Sequence, residues 1–167
     1  MMTAPTAHRI SLTQGRSALV DAADMETLSG FTWRFTERGY VMAYSGAGVA
    51  RNRQTYMHRV IMLPDPDQDV DHINGDPLDN RRANLRLCTR SQNNANTRLS
   101  STNTSGFKGV SWFKRTGRWR AMISLENCQL GLGYYDDLID AAHAYDGAAR
   151  YFFGEFANPN FPAEIAR

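Results

Sequence analysis

Apolar and polar side chains alternate with a period of two over Tyr40–Tyr44 and Thr55–Met62, which predicts two strands joined across the glycines of SGAGVARN. A third apolar run, LRLCT (85–89), reads as a strand that returns from a polar loop, and Thr89 or Ser91 suits the cap of a short helix running to about Thr97. Large apolar residues then nearly vanish from Asn96 to Ser105, a Ser, Thr and Asn stretch that predicts a linker. Beyond it, FKGVSWF (107–113), RWRAMISL (118–125) and CQLGLGYY (128–135) are separated by the turn signals RTG and EN, so an antiparallel meander is expected. The period then changes. Leu138, Ala141, Ala142, Tyr145, Ala148, Ala149 and Phe152 recur at helical spacing, an apolar stripe facing a sheet, with Asp136 and Asp137 suited to the helix start and Gly154 to its end. The pattern describes a strand-rich first module and a second of three strands and one helix.

A chain of 167 residues is one large domain or two small ones and buries about 70% of its unfolded surface without disulfides. Hydrophobic residues at 42% and charged residues at 22% place it among ordinary globular chains. No apolar run approaches the ~18 residues of a membrane span, and the N-terminus lacks the basic start and apolar block of a secretory signal, so an intracellular protein is expected. Cys88 and Cys128 show no paired zinc spacing and read as buried free thiols. The net charge of +2 is unevenly spread. Residues 101–135 carry five basic side chains and one acid, residues 136–167 two and six, and Arg81, Arg82, Arg86, Arg90 and Arg98 follow Asp79 with no acid among them. Two basic patches, 81–98 and 108–120, make nucleic acid the first partner to consider, against a merely solvated charged face.

The segment 70–96, VDHINGDPLDNRRANLRLCTRSQNNAN, concentrates polar side chains where a plain connection needs few. Asp71 is a hard oxygen donor next to His72, whose imidazole can act as a base near neutrality. Strand neighbours point to opposite faces, so the strand must end or bend there for both to serve one site, and Asn74-Gly75 supplies the turn signal. Asn93, in the first turns of the expected helix, is placed to present an amide oxygen toward Asp71. A carboxylate with an amide oxygen is an incomplete hard-ligand set, suited to magnesium that keeps several waters and unsuited to zinc.

In order and spacing, MHR (57–59), DHINGD (71–76), DNRRANLRLCT (79–89) and QNNAN (92–96) resemble the HNH nuclease motif of phage-type and intron-encoded homing endonucleases, in its Asn-ending variant. The resemblance implies one divalent metal, magnesium or alternatively manganese, held by Asp71 and by Asn93 or its neighbour Asn94. It also implies His72 as the base that activates water and Asn84 as the residue that braces the loop around it. His58 stands between two readings of equal weight, a satisfied half-buried histidine and a phosphate contact, and Arg81 and Arg82 are counted with the DNA contacts.

In the second module Lys108, Lys114, Arg115, Arg118 and Arg120 interleave with Phe107, Trp112, Phe113 and Trp119, a basic and aromatic sheet surface of the kind the major groove accepts. Arg118 and Arg120 share one strand face, and Trp119 points to the other. SGFKGVSW, GRWRAMI and LGYYDDLIDAAHAYDGAARYFFGEFANPNFP resemble the Apetala-two/ethylene-response-factor DNA-binding domain over 106–161, although Ser111 and Ser124 stand where the plant proteins carry base-reading arginines. The expected fold is α+β: a ββα-metal HNH module (core 56–96, within 1–96), a linker at 97–105, a three-stranded antiparallel sheet packed on one helix at 106–161, and a tail at 162–167. The expected function is a metal-dependent endonuclease acting on double-stranded DNA in a phage-infected or bacterial cytoplasm, a nicking, homing-type monomer with a dimer as the alternative. The competing reading is a DNA-binding regulator on a decayed HNH scaffold.

Overall fold

The computed structural model describes residues 7–44, 54–126 and 128–162. The glycine-rich connection expected between the first two strands and the tail from 163 onward lie outside the described residues. The chain divides into two units, Met1–Thr89 and Arg90–Arg167. All strand pairs are antiparallel, as expected of an α+β chain.

In the first unit, β1 (Ala7–Ser11) and β2 (Ser17–Asp21) form a hairpin, and the short helix α1 (Met25–Ser29) leads to a sheet of β3 (Arg34–Phe35), β4 (Val41–Tyr44) and β5 (Gln54–Tyr56). Helix α2 (Met57–Met62) follows β5 directly, and β6 (Asp69–His72) pairs with β7 (Leu85–Cys88). Val20, Leu28, Val41 and Met57, each at most 1% exposed, anchor the core that Trp33, Ile61, Val70 and Leu85 complete. Burying side chains of this size stabilises by roughly 1.5–3 kcal/mol each.

The strand expected over Thr55–Met62 is therefore only its first residues, and the remainder is helix. Met57 and Ile61, four apart, are both buried, and so is His58. A run this short satisfies a period of two and a period of 3.6 alike, and the core contact selects the helix. His58 accordingly does not alternate with Tyr56 and Val60 on a strand.

In the second unit α3 (Arg90–Ala95) precedes the meander β8 (Val110–Phe113), β9 (Arg118–Leu125) and β10 (Cys128–Tyr135), with β9 central. Val110 and Ala121 pack against Ala141 and Ala142 of α4 (Leu138–Phe153). The Asp137 side chain caps α4 by accepting from the Ile139 and Asp140 amides at 2.6 and 3.1 Å. Gly109, with φ +70°, has no room for a side chain: a Cβ there would strike the Tyr145 ring and the Met122 carbonyl. Asp146, 1% exposed, accepts from the Asn160 and Phe161 amides at 2.7 and 2.8 Å and fastens the segment after α4 to it.

The segment expected to be a linker starts bonded to this unit. Lys108 Nζ donates to the Ala95 and Asn158 carbonyls, both at 2.8 Å, and Asn158 Nδ2 donates to the Asn96 carbonyl at 3.1 Å. Ala95 is buried with Ile123, Tyr145, Ala149 and Phe153. Helix α3, expected with the first module, thus belongs to the second. Of the two thiols, Cys88 is buried and Cys128 exposed, the latter against expectation because it starts a strand with no cover. No helix among the described residues is long and apolar enough to cross a membrane.

Candidate active site

β6 and β7 pair with Asp71 opposite Arg86 and His72 opposite Leu85. At the end of β6 the chain turns: the Gly75 amide returns to the His72 carbonyl at 2.8 Å, with Gly75 at φ +67°. The loop beyond is held by its own polar side chains. Asn74 Oδ1 accepts from the Asp76 amide at 2.8 Å, and Asp76 Oδ1 from the Leu78 amide at 3.0 Å, an Asx-turn sequence. Leu19 of β2 exchanges backbone bonds with Leu78 and Asn80, both at 2.8 Å, which sews the loop to the first hairpin.

Asn84 closes the loop from the far end. Its Nδ2 donates to the Asp79 carbonyl at 2.8 Å and to Asn74 Oδ1 at 3.0 Å, and its Oδ1 accepts from the Asn74 amide at 3.0 Å.

Asp71 and His72 are 5% and 6% exposed. Arg86 Nε and Nη2 bond one Asp71 oxygen, Oδ2, at 2.9 and 2.8 Å. His72 Nε2 lies 3.4 Å from Asn80 Oδ1, and Asn80 is fully buried with its Nδ2 donating to the Pro77 carbonyl at 3.0 Å. That bond fixes which end of the Asn80 amide faces the imidazole. The proton is therefore assigned to Nε2, and Nδ1 is the basic nitrogen. Burial holds the His72 pKa below the ordinary 6.5, outweighing the Asn80 bond and the carboxylates of Asp71, Asp76 and Asp79, which act the other way.

His58 touches His72 edge to face, with ring centroids 5.1 Å apart, and stacks on Tyr56 at 5.6 Å; Tyr40 borders both histidines. Burial, then the neighbouring His72 and Arg59, push its pKa down to about 3, so the ring is neutral. Its surroundings are those of a packed imidazole. Arg81 lies in a two-pronged pair with Asp79, 2.7 and 2.6 Å, and Arg82 in another with Asp24 at 2.7 Å. Both are thereby engaged in holding the loop, with pKa values raised first by those carboxylate bonds.

Asn93 is half-buried on α3 in the second unit, and Asn94 beside it is exposed. Among the described residues no group of three or more His, Cys, Asp or Glu side chains is arranged to hold a metal. Of the second unit's expected DNA contacts, Lys114, Arg115 and Arg118 are exposed and Arg120 is half-buried. The Lys108 ammonium is turned onto two carbonyls, and desolvation lowers its pKa to about 8.

The sequence reading missed four participants. Asn80 orients His72, Arg86 holds Asp71, and Tyr40 with Tyr56 walls the histidine pair. Only Arg86 left a trace, as the residue opposite Asp71 once the hairpin register is fixed.

Comparison with known proteins places the segment that carries this site in a family. The HNH endonuclease family model matches residues 55–95, from β5 through α3. Protein 3.8 of Escherichia phage T7 is 38% identical over 88 residues, 53% of this chain and 72% of that protein. An uncharacterized HNH endonuclease, L560, of Acanthamoeba polyphaga mimivirus is 28% identical over 147 residues, 88% of this chain and 76% of its own. The C-terminal region is similar to APETALA2-like protein 2 of Oryza sativa subsp. indica, 44% identical over 57 residues, 34% of this chain and 13% of that protein. The chain belongs to the HNH endonuclease family and is a nuclease. Its HNH and APETALA2-like similarities both point to DNA as the partner, and HNH nucleases generally use a divalent metal ion.

Proposed function

We propose that the chain hydrolyses phosphodiester bonds of double-stranded DNA in a metal-dependent reaction and, as a monomer with a single site, nicks one strand per encounter in the manner of a site-directed homing enzyme. The observation that carries this reading is a buried, neutral histidine whose tautomer is fixed by Asn80, next to a buried carboxylate held by Arg86. An imidazole in that state is ready to accept a proton. In the reaction His72 Nδ1 takes the proton of a water whose oxygen attacks phosphorus, and the bond to the 3′ oxygen breaks. Asn84 keeps His72 in place by fixing the loop that begins at its carbonyl.

β6, β7 and α3 follow in the order of a ββα-metal module, and the motif assigns Asp71 and Asn93 as the residues that would hold the ion. A hard carboxylate oxygen with an amide oxygen fits magnesium, or manganese, better than zinc. When bound, such an ion neutralises charge on the phosphate oxygen and the departing 3′ oxygen. Arg86 is a positioning residue that orients Asp71. Lys114, Arg115, Arg118 and Arg120 bind the duplex through the sheet of the second unit.

Supercoiled plasmid incubated with the full chain, with magnesium and with chelator, tests the reading. Open circles are expected from the wild type with magnesium only, and His72→Ala should bind DNA normally and cut about 10²–10⁴-fold more slowly. Unchanged cutting by His72→Ala would remove the assigned base, and linear product from single encounters of a monomer would remove the nicking assignment.

A further inference from the structure

The sheet of the second unit has two chemically different faces. Val110, Ala121 and Ile123 point toward α4 and are buried. Alternation places Ser111 and Phe113 of β8, then Arg118, Arg120, Met122 and Ser124 of β9, on the other face, and the register puts Tyr134 of β10 beside Arg120. At its centre the Phe113 ring lies 5.3 Å from the Tyr134 ring, with the Arg120 and Arg115 guanidinium carbons 5.3 and 5.4 Å from its centroid. Tyr134 is 46% exposed.

The two arginines of β9 differ. Arg118 is engaged by Asp136, Nε to Oδ1 at 2.8 Å. Arg120 has no ion pair among the described residues, and its buried Nε has no hydrogen-bond partner. Its guanidinium is instead held beside an aromatic ring, which restricts its rotamers and leaves its donors uncommitted. A half-buried Phe113 ring against the exposed Tyr134 ring, next to a pre-oriented guanidinium, has a specific counterpart in the major groove. Guanine offers O6 and N7 to arginine, and thymine alone among the four bases offers a methyl group to an aromatic side chain. Successive bases of one strand rise by about 3.4 Å, so a ring and a guanidinium side by side span neighbouring bases.

Resting on the reading that this sheet binds duplex DNA, we infer that the face is a dinucleotide reader. Arg120 bonds a guanine, and the Phe113–Tyr134 pair packs on the methyl group of an adjacent thymine. Phe113 and Arg120 are then specificity-determining residues of the nuclease, and its target contains a thymine next to a guanine.

The test uses the full chain carrying His72→Ala, so that bound DNA stays intact. Preferred duplexes are selected from a random pool, and each thymine of the preferred site is then replaced by deoxyuridine, which removes only the methyl group. One thymine, adjacent to a guanine, should show a loss of about fourfold in affinity, the scale of one buried methyl group. Adding Phe113→Ala should abolish that difference between thymine and deoxyuridine. Arg120→Ala should weaken binding about 5- to 150-fold and flatten the preference at the guanine. Because the deoxyuridine comparison is made on an unaltered protein surface, it stands even if a variant folds poorly.

Equal affinity for every deoxyuridine duplex, or a methyl effect that persists in Phe113→Ala, overturns the inference and leaves duplex binding by the sheet intact. Failure to enrich any duplex sequence, or a preference for single strands, overturns both.

Discussion

Replacing Asn84 with aspartate changes one amide group into a carboxyl group of the same shape, at a position where every polar atom of the side chain is engaged. Asn84 Nδ2 faces two acceptors, the Asp79 carbonyl at 2.8 Å and Asn74 Oδ1 at 3.0 Å. A carboxylate there loses both donated bonds and turns an oxygen toward each acceptor. The Asn74 amide cannot relieve this by flipping, because its Nδ2 already donates to Asp79 Oδ2 at 3.1 Å. Two lost bonds, with the buried Asp79 carbonyl left unpaired and a charged oxygen turned on both acceptors, cost about 3–5 kcal/mol at neutral pH. By linkage, at about 1.4 kcal/mol per pKa unit, the introduced carboxyl is raised from about 3.9 to roughly 6–7. For a raised acid the deficit is present above the folded pKa and shrinks as pH falls through it, since the protonated group again donates to one acceptor. Denaturant unfolding of wild type and Asn84→Asp at about pH 8 and about pH 5 measures the difference, with emission from Trp33, the sole tryptophan of the first unit, as the probe. Taking the difference at each pH cancels titrations common to both proteins. A deficit below about 1 kcal/mol at the higher pH, or one that does not shrink in acid, would refute the bracing role drawn from these bonds.

His58, held near a pKa of about 3, contributes stability in full above its ordinary 6.5 and loses it as pH falls toward 3; up to about 5 kcal/mol is at stake, and His58→Phe should flatten the acid limb of a stability-against-pH curve. The same sign applied to catalysis places the acid limb of kcat/KM below 6.5, because burial lowers the His72 pKa, and a limb at or above 6.5 would contradict the neutral imidazole. Asp146→Ala strands the Asn160 and Phe161 amides and should cost about 3–5 kcal/mol, with hydrogen exchange accelerated at those two amides in particular.

The sequence by itself determined the elements whose periods were long and unmixed. The helix and the two longer strands of the second unit emerged at nearly the observed positions, since sixteen residues of helical stripe in α4 and eight-residue strands leave little ambiguity of period, whereas the strand expected over 107–113 is only Val110–Phe113. The pairing of β6 with β7 was also legible, because the turn signal at Asn74-Gly75 and the apolar run after it are local.

Tertiary structure decided what depends on distant partners. Residues 57–62 fit strand and helix equally, and contact with the core made them α2. The serine- and asparagine-rich stretch read as a tether until Asn158, remote in sequence, bonded its first residues and Lys108 bonded the Ala95 carbonyl at the end of α3, which lies in the second unit. In the site, the motif named Asp71, His72 and Asn84. Only packing revealed that Asn80 sets the tautomer of His72, that Arg86 holds Asp71, and that Arg81 and Arg82 are bound to carboxylates of the loop and of the residues before α1. A side chain's role depends on the groups it meets, and composition and spacing do not say which groups those are until the backbone has brought them together.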